Sequence, residues 1–209
     1  MPSSPEATLA NVTFALAPER MPAIPTEKMS DAQRAAAAEI AAGPRGDVKG
    51  PFIPLMRSPE FMRRVQKVGE YVRFVCPLDP RLNEFAAIIA ARHWNQQFVW
   101  WAHAPKAVKA GLKKSVADAV GEGRRPAGMA EDEEIVYDLL TEVFNNNGAS
   151  DHTYARAVAR FGEAGLIDLL GIAGYYAMLA MVMNVARTAV PEGPPLPLVP
   201  LPARAVPTG

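Results

Sequence analysis

The stretch Asp79–Leu112, DPRLNEFAAIIAARHWNQQFVWWAHAPKAVKAGL, decides how the chain is read. Asp79 followed by Pro80 is a helix start: an acid that accepts from the first free N–H groups, then a proline whose missing N–H costs nothing there. The apolar residues that follow keep a helical period, and Gly111 supplies the stop. Between the two halves lies Trp94-Asn95-Gln96, a weak point because asparagine prefers caps and turns. In one unbroken helix Glu84 and His103, 19 residues apart, would stand about 28 Å apart. If the chain reverses at Asn95, they lie about equally far from the turn and can face each other across an antiparallel hairpin. On the second helix Gln96, Val99, His103, Lys106 and Ala110 share one face. Asn95 or Gln96, near the helix start, can aim amide donors at a bound carboxylate.

The same grammar extends outward. Ser30 with Gln33 forms a capping box before AAAAEIAA, and Gly43 stops that helix. Ser58-Pro59 repeats the Asp79-Pro80 device before FMRRVQKVGEYVRFV. A short helix spans Lys114–Val120, and an acid-fronted one runs from Glu131 to Phe144, as the helix dipole favours. Ser150 or Asp151 caps HTYARAVARFG, and Gly165 opens a long apolar helix to about Ala189. No period-2 apolar run marks a strand. The reading is all-α, seven or eight helices. Nine of the 20 prolines precede Phe61 and seven follow Val190, so the helical domain, residues 30–190, is flanked by an extended N-terminal arm (1–29) and a proline-rich C-terminal tail (191–209). Leu196, Leu198, Val199 and Leu201 are costly to leave in water, which favours a tail laid as a strap along another surface.

Composition limits the function. The chain has 209 residues, about one domain's worth. Lysine plus arginine equals aspartate plus glutamate at 22 each, without the basic excess of a nucleic-acid binder or an electrostatic membrane binder. The longest apolar run, Leu169–Met183, is 15 residues, short of the roughly 20 that span a bilayer. It reads as a helix buried in protein. No targeting segment stands out, so a cytoplasmic protein is the default. Cys76 is the single cysteine, which excludes an internal disulfide and any dithiol mechanism. The Glu131–Glu134 acids suit a helix start better than a metal.

Glu84 through Leu112 resembles the core motif of the carboxymuconolactone decarboxylase family, which includes the alkylhydroperoxidase D proteins. In that family a glutamate is followed about twelve residues later by C-x-x-C or its replacement, then by a histidine four further on. Glu84, Gln96, Val99 and His103 match the spacing. GPFIPLMRSPEFMRRVQKVGEYVRF upstream, and EEIVYDLLTEVF with ARFGEAGLIDLLGIAGYYAMLAMVMN downstream, are similar too, so the likeness covers about Arg20 to Gly193.

The resemblance implies an alkylhydroperoxidase D-like helical fold that assembles as a dimer, trimer or hexamer through long apolar helices, here the helix from Leu166 to Ala189. It also implies cofactor-free acid–base chemistry, with no metal, on a small carboxylated or lactone-like substrate. His103 is then the proton donor or base and Glu84 the group that orients it. Arg92, Lys106, Gln96 and Asn95 are candidates to hold the substrate, with Trp100 and Val99 beside it and Trp94, Phe98 and Trp101 as further walls. The departure is at the cysteine pair: Gln96 and Val99 cannot reduce a peroxide, and Cys76 lies outside the motif with no resolving partner. Related sequences carry a glutamate where this chain has Val99. A non-catalytic member that binds a ligand or partner is the alternative, and residual peroxidase chemistry through Cys76 a minor one.

Overall fold

In a computed structural model, which describes residues 18–191 together with Leu198 and Val199, eight α-helices and no strand are present among the described residues. They are α1 (Asp31–Ala42), α2 (Phe52–Leu55), α3 (Pro59–Glu70), α4 (Pro80–His93), α5 (Gln97–Lys109), α6 (Lys114–Gly121), α7 (Glu131–Asn146) and α8 (Asp151–Ala186). The all-α expectation holds.

The local starts work as the sequence suggests. Ser30 Oγ accepts from Gln33 N at 3.2 Å while Gln33 Oε1 accepts from Ser30 N at 2.9 Å. Asp79 Oδ1 accepts from Arg81 N at 2.8 Å, and Pro80 opens α4. Ser150 caps α8 through Thr153 N at 3.3 Å. Ser58 differs: its side chain makes no cap bond, and Pro59 alone shapes that start. α3 does not end at Glu70 but widens into a π-helical turn, Tyr71–Val75. The one-turn helix α2 was not foreseen. The break in the last helix falls at Gly162 (φ 70°, ψ 171°), three residues before the expected opening at Gly165. Two of the acids at the front of α7 are paired: Arg81 reaches Asp132 at 2.8 Å and Glu133 at 2.5 Å.

α4 is the axis of the domain. Leu82 and every residue from Phe85 to Arg92 are buried, and α5, α6, α7 and α8 all pack on it. A helix apolar all round belongs inside a protein, which is what its alanine-rich sequence demands. The hairpin reversal sits at Asn95, which takes a left-handed conformation (φ 49°). That conformation is strained for most residues and tolerated by asparagine. Asn184 on α8 locks the turn, donating to Trp94 O at 2.8 Å and accepting from Gln96 Nε2 at 3.2 Å.

Both arms touch the domain where they are described. Arg20 N donates to Ala186 O at 2.8 Å and Glu19 accepts from Ala189 N at 2.8 Å, so the first arm lies on the end of α8. Leu198 is buried while Val199 is exposed; Leu196 and Leu201 lie outside the described residues. α8 from Gly162 onward is strongly apolar, long enough to cross a membrane, and little more than half buried. Its exposed or half-exposed positions Ala164, Ile167, Gly171, Gly174, Met178, Met181 and Val185 alternate in steps of three and four, the spacing of a seam between paired helices.

Candidate functional site

The hairpin turn brings α4 and α5 side by side, and Glu84 and His103 meet across it. His103 Nδ1 lies 2.5 Å from Glu84 Oε2. With Nδ1 donating to the carboxylate, Nε2 is the nitrogen left for chemistry. His103 is buried, and its ring stands T-shaped to that of Tyr176, 4.6 Å between centroids. Burial lowers the imidazole's pKa, and the Glu84 carboxylate opposes that only in part. At neutral pH His103 is therefore mostly a neutral base.

His103 forms part of the wall of a cavity of about 260 Å³ between α5, α8, the π turn and the segment after α1. Four cationic side chains line it, Arg45, Lys49, Arg73 and Lys106, against one carboxylate at its edge, Asp47. Lys49 pairs with Asp47 at 3.6 Å. Among the described residues Arg45, Arg73 and Lys106 have no carboxylate within ion-pair distance. Arg45 Nη2 donates instead to Tyr175 Oη at 3.1 Å, its guanidinium lies 4.6 Å over the Phe52 ring, and its Nε is buried without a partner. Burial lowers the Arg45 and Lys106 pKa values; the Arg73 charge adds to the effect on both. The Tyr175 and Tyr176 hydroxyls are pushed up by burial and stay protonated. Cations held without counter-ions beside neutral hydroxyl donors make a site for a small anion.

Gly69 on α3 makes the Arg45–Tyr175 pair possible. A β-carbon there would fall 2.5 Å from Tyr175 Cζ and nearer still to its Oη and to Arg45 Nη2. Gly50, at φ 55°, does the same for Phe98, whose ring would stand 2.5 Å from such a carbon.

Of the residues singled out in the sequence, Val99, His103 and Lys106 line the cavity, as do Phe98 and Trp101, with Glu84 behind His103. Four others are placed elsewhere. Gln96 spends its carbonyl on Val99 N at 3.0 Å and its amide on Asn184. Asn95 accepts from Arg92. Arg92 donates to Gly121 O and Val199 O, both at 2.9 Å, away from the cavity. Trp100 faces an outer apolar groove of about 460 Å³ with Ala104, Pro105 and Val108. These four side chains build the turn and the outer face of the hairpin. Trp94 is likewise absent from the cavity wall, its indole nitrogen buried without a partner. Cys76 does not line the cavity, and burial raises its thiol pKa, which disfavours the reactive thiolate.

Sequence reasoning missed Arg45, Lys49, Arg73 and the placement of Tyr175 and Tyr176 in the cavity wall. The tyrosines carried one signal, two polar tips inside an apolar run; Arg45 and Arg73 carried none.

No family model and no curated protein matches this chain. Solved structures do. One is the alkylhydroperoxidase AhpD core of an uncharacterized peroxidase-related protein from Ralstonia eutropha (TM-score 0.68, 15% identity, 82% of this chain and 92% of that one). Another is a protein of unknown function from Agrobacterium tumefaciens, described as a putative antioxidant defence protein AhpD (TM-score 0.56, 18% identity, 68% of this chain and 99% of that one). At these identities the likeness is one of architecture, and the chain has the AhpD-like all-α fold.

Proposed function

We propose that this protein performs cofactor-free acid–base chemistry on a small carboxylated substrate, of the kind carboxymuconolactone decarboxylases carry out. The observation that carries the reading is the Glu84–His103 pair, 2.5 Å apart, with His103 in the wall of a cavity lined by Arg45, Arg73 and Lys106, none of which has an ion-pair partner among the described residues. Arg45 with Tyr175, and Arg73 with Lys106 at the mouth, hold the substrate's carboxylates. An anion bound there raises the basicity of His103, so Nε2 takes up a proton as the substrate enters. Loss of carbon dioxide breaks a carbon–carbon bond and leaves the electron pair on an enolate-like carbon, which takes that proton from Nε2. Tyr176, T-shaped to His103, donates to the enolate oxygen in this reading. Glu84 holds the tautomer and steadies the imidazolium.

The test is a screen of small carboxylated lactones by carbon dioxide release, repeated with His103→Gln and Glu84→Gln. Loss of a positioned acid–base group costs about 10²- to 10⁴-fold in rate, with the fold unchanged by circular dichroism. Full activity in His103→Gln refutes the assignment.

A second reading, a non-catalytic ligand-binding member of the fold, draws on Val99, an apolar residue at a motif position facing the cavity. It predicts anion binding without turnover of any lactone. Thiol peroxidase activity is disfavoured despite the neighbours' peroxidase-related names, because Gln96 and Val99 occupy the cysteine positions and Cys76 stands alone. We also propose that copies of the chain self-associate through the exposed seam of α8.

A further inference from the structure

Residues behind the cavity wall build a socket with its own polar equipment. Gln97, the first residue of α5, holds both backbone polar groups of Leu198. Its Nε2 donates to Leu198 O and its Oε1 accepts from Leu198 N, both at 2.8 Å. Gln97 is 4% exposed and Leu198 2%, so these bonds are shielded from water. Arg92, in the last turn of α4, reaches the next carbonyl, Val199 O, with the same nitrogen that binds Gly121 O at the end of α6. Arg92 also donates to Asn95, the left-handed residue of the turn. The leucine side chain lies by Gly121, where even a β-carbon would stand 2.9 Å from the Trp100 ring. A buried glutamine amide and a buried guanidinium strand expensive polar groups if the strap leaves. The socket is therefore built around its occupant.

We propose that the C-terminal strap, through Leu198, is a positioning element of the active site: it fastens the α4–α5 turn and thereby fixes the start of the helix that carries His103. Leu198 touches neither cavity nor substrate and acts through Gln97 and Arg92. From Gln97 to His103 is six residues of helix, about 9 Å, with Val99 and the cavity wall between. Asn184 holds the turn from the α8 side; the strap holds it from the other. This inference takes from the proposed function only the premise that the Glu84–His103 geometry matters for turnover, and the clamp can be tested without any substrate.

The experiment uses the full-length chain and its Leu198→Ala variant, with Gln97→Glu as a second variant that keeps the size but turns a carboxylate toward Leu198 O. Strap release is read by tryptic cleavage after Arg187. Positioning is read by hydrogen exchange of the α5 amides and by the NMR titration of His103, assigned with His103→Gln. The expected result is faster cleavage, exchange in residues 97–103 raised at least tenfold (about 1.4 kcal/mol of lost protection), unchanged exchange in α7, and a His103 titration moved up toward that of a solvated histidine. A synthetic peptide of residues 195–202, added in millimolar excess to Leu198→Ala, restores the slow exchange. Faster cleavage with unaltered α5 exchange and His103 titration overturns the proposal and leaves the strap a plain stabilising contact. Unaltered cleavage in both variants overturns the clamp itself. Exchange that rises equally in α5 and α7 also overturns it, since that is global loosening.

Discussion

Gly69→Ala tests the proposed anion site without removing any charged group. The added methyl lands 2.5 Å from Tyr175 Cζ and still closer to Tyr175 Oη and Arg45 Nη2. α3 cannot yield, because Met62, Val65 and Gln66 of the same helix are buried, so the Arg45–Tyr175 pair must separate. Overpacking of this kind costs about 1–3 kcal/mol. Alanine returns about 1 kcal/mol relative to glycine inside a helix. The net loss of stability is then only about 0–2 kcal/mol, and the variant folds. Binding should suffer more than stability. A hydrogen bond to a charged group is worth about 1.5–3 kcal/mol, so displacing Arg45 weakens a small polycarboxylate about 10- to 150-fold. Isothermal titration with citrate at low salt measures this, with Tyr175→Phe alongside to remove the hydroxyl and keep the ring. If Gly69→Ala is folded and binds citrate as the parent does, Arg45 and Tyr175 do not form an anion site.

Stability should depend on pH through His103. Its folded-state pKa lies below the ordinary value because of burial. The unfolded chain therefore takes up the proton first, at about pH 6.5, and stability present above that pH is lost as pH falls toward the folded value. Urea midpoints between pH 8 and 5 should show this slope, and His103→Gln should flatten it; an equal slope in the variant refutes the buried-histidine reading. Arg81→Ala leaves Glu133, whose side chain is 5% exposed, without its cation, and Asp132, 14% exposed, with Arg160 alone at 3.4 Å. Breaking such a pair costs about 3 kcal/mol or more, and a thermal midpoint within a few degrees of the parent's contradicts it. Ile167→Glu with Met181→Glu places charges on the α8 seam. Light scattering should then report the 22.5 kDa monomer where the parent gives a multiple; a parent that is already monomeric ends the self-association proposal.

What could be read in advance follows from distance along the chain. Capping at Ser30–Gln33 and Asp79–Pro80 is decided within three residues, and the structure keeps both. The Glu84–His103 pair was legible because one turn at Asn95 sets both ends of a short hairpin. The cationic rim was not, because Arg45, Arg73 and Tyr175 come from three separate elements and their convergence is a property of packing. Arg92 shows the reverse error. The sequence displays a charge beside the turn, but not that the carbonyls of Gly121 and Val199 will claim it. Tertiary partners, not residue type, separate the cations that line the cavity from the one that holds the turn. Gly162 against Gly165 is a milder case: either glycine can break a helix, and the neighbours choose.

The two halves of the site span very different lengths of chain. Glu84 and His103 are 19 residues apart, whereas Arg45 and Tyr175 are 130 apart. Closing the longer loop carries the greater entropic cost and needs α8 in place. During synthesis the acid–base pair can therefore assemble while the rest of α8 is still unmade, in water and with no anion site beside it. The cavity closes only when nearly the whole domain is present. A half-made chain can hold the pair before the pocket exists, so under the proposed function anion binding would report completion of the domain, and pairing of Glu84 with His103 would not.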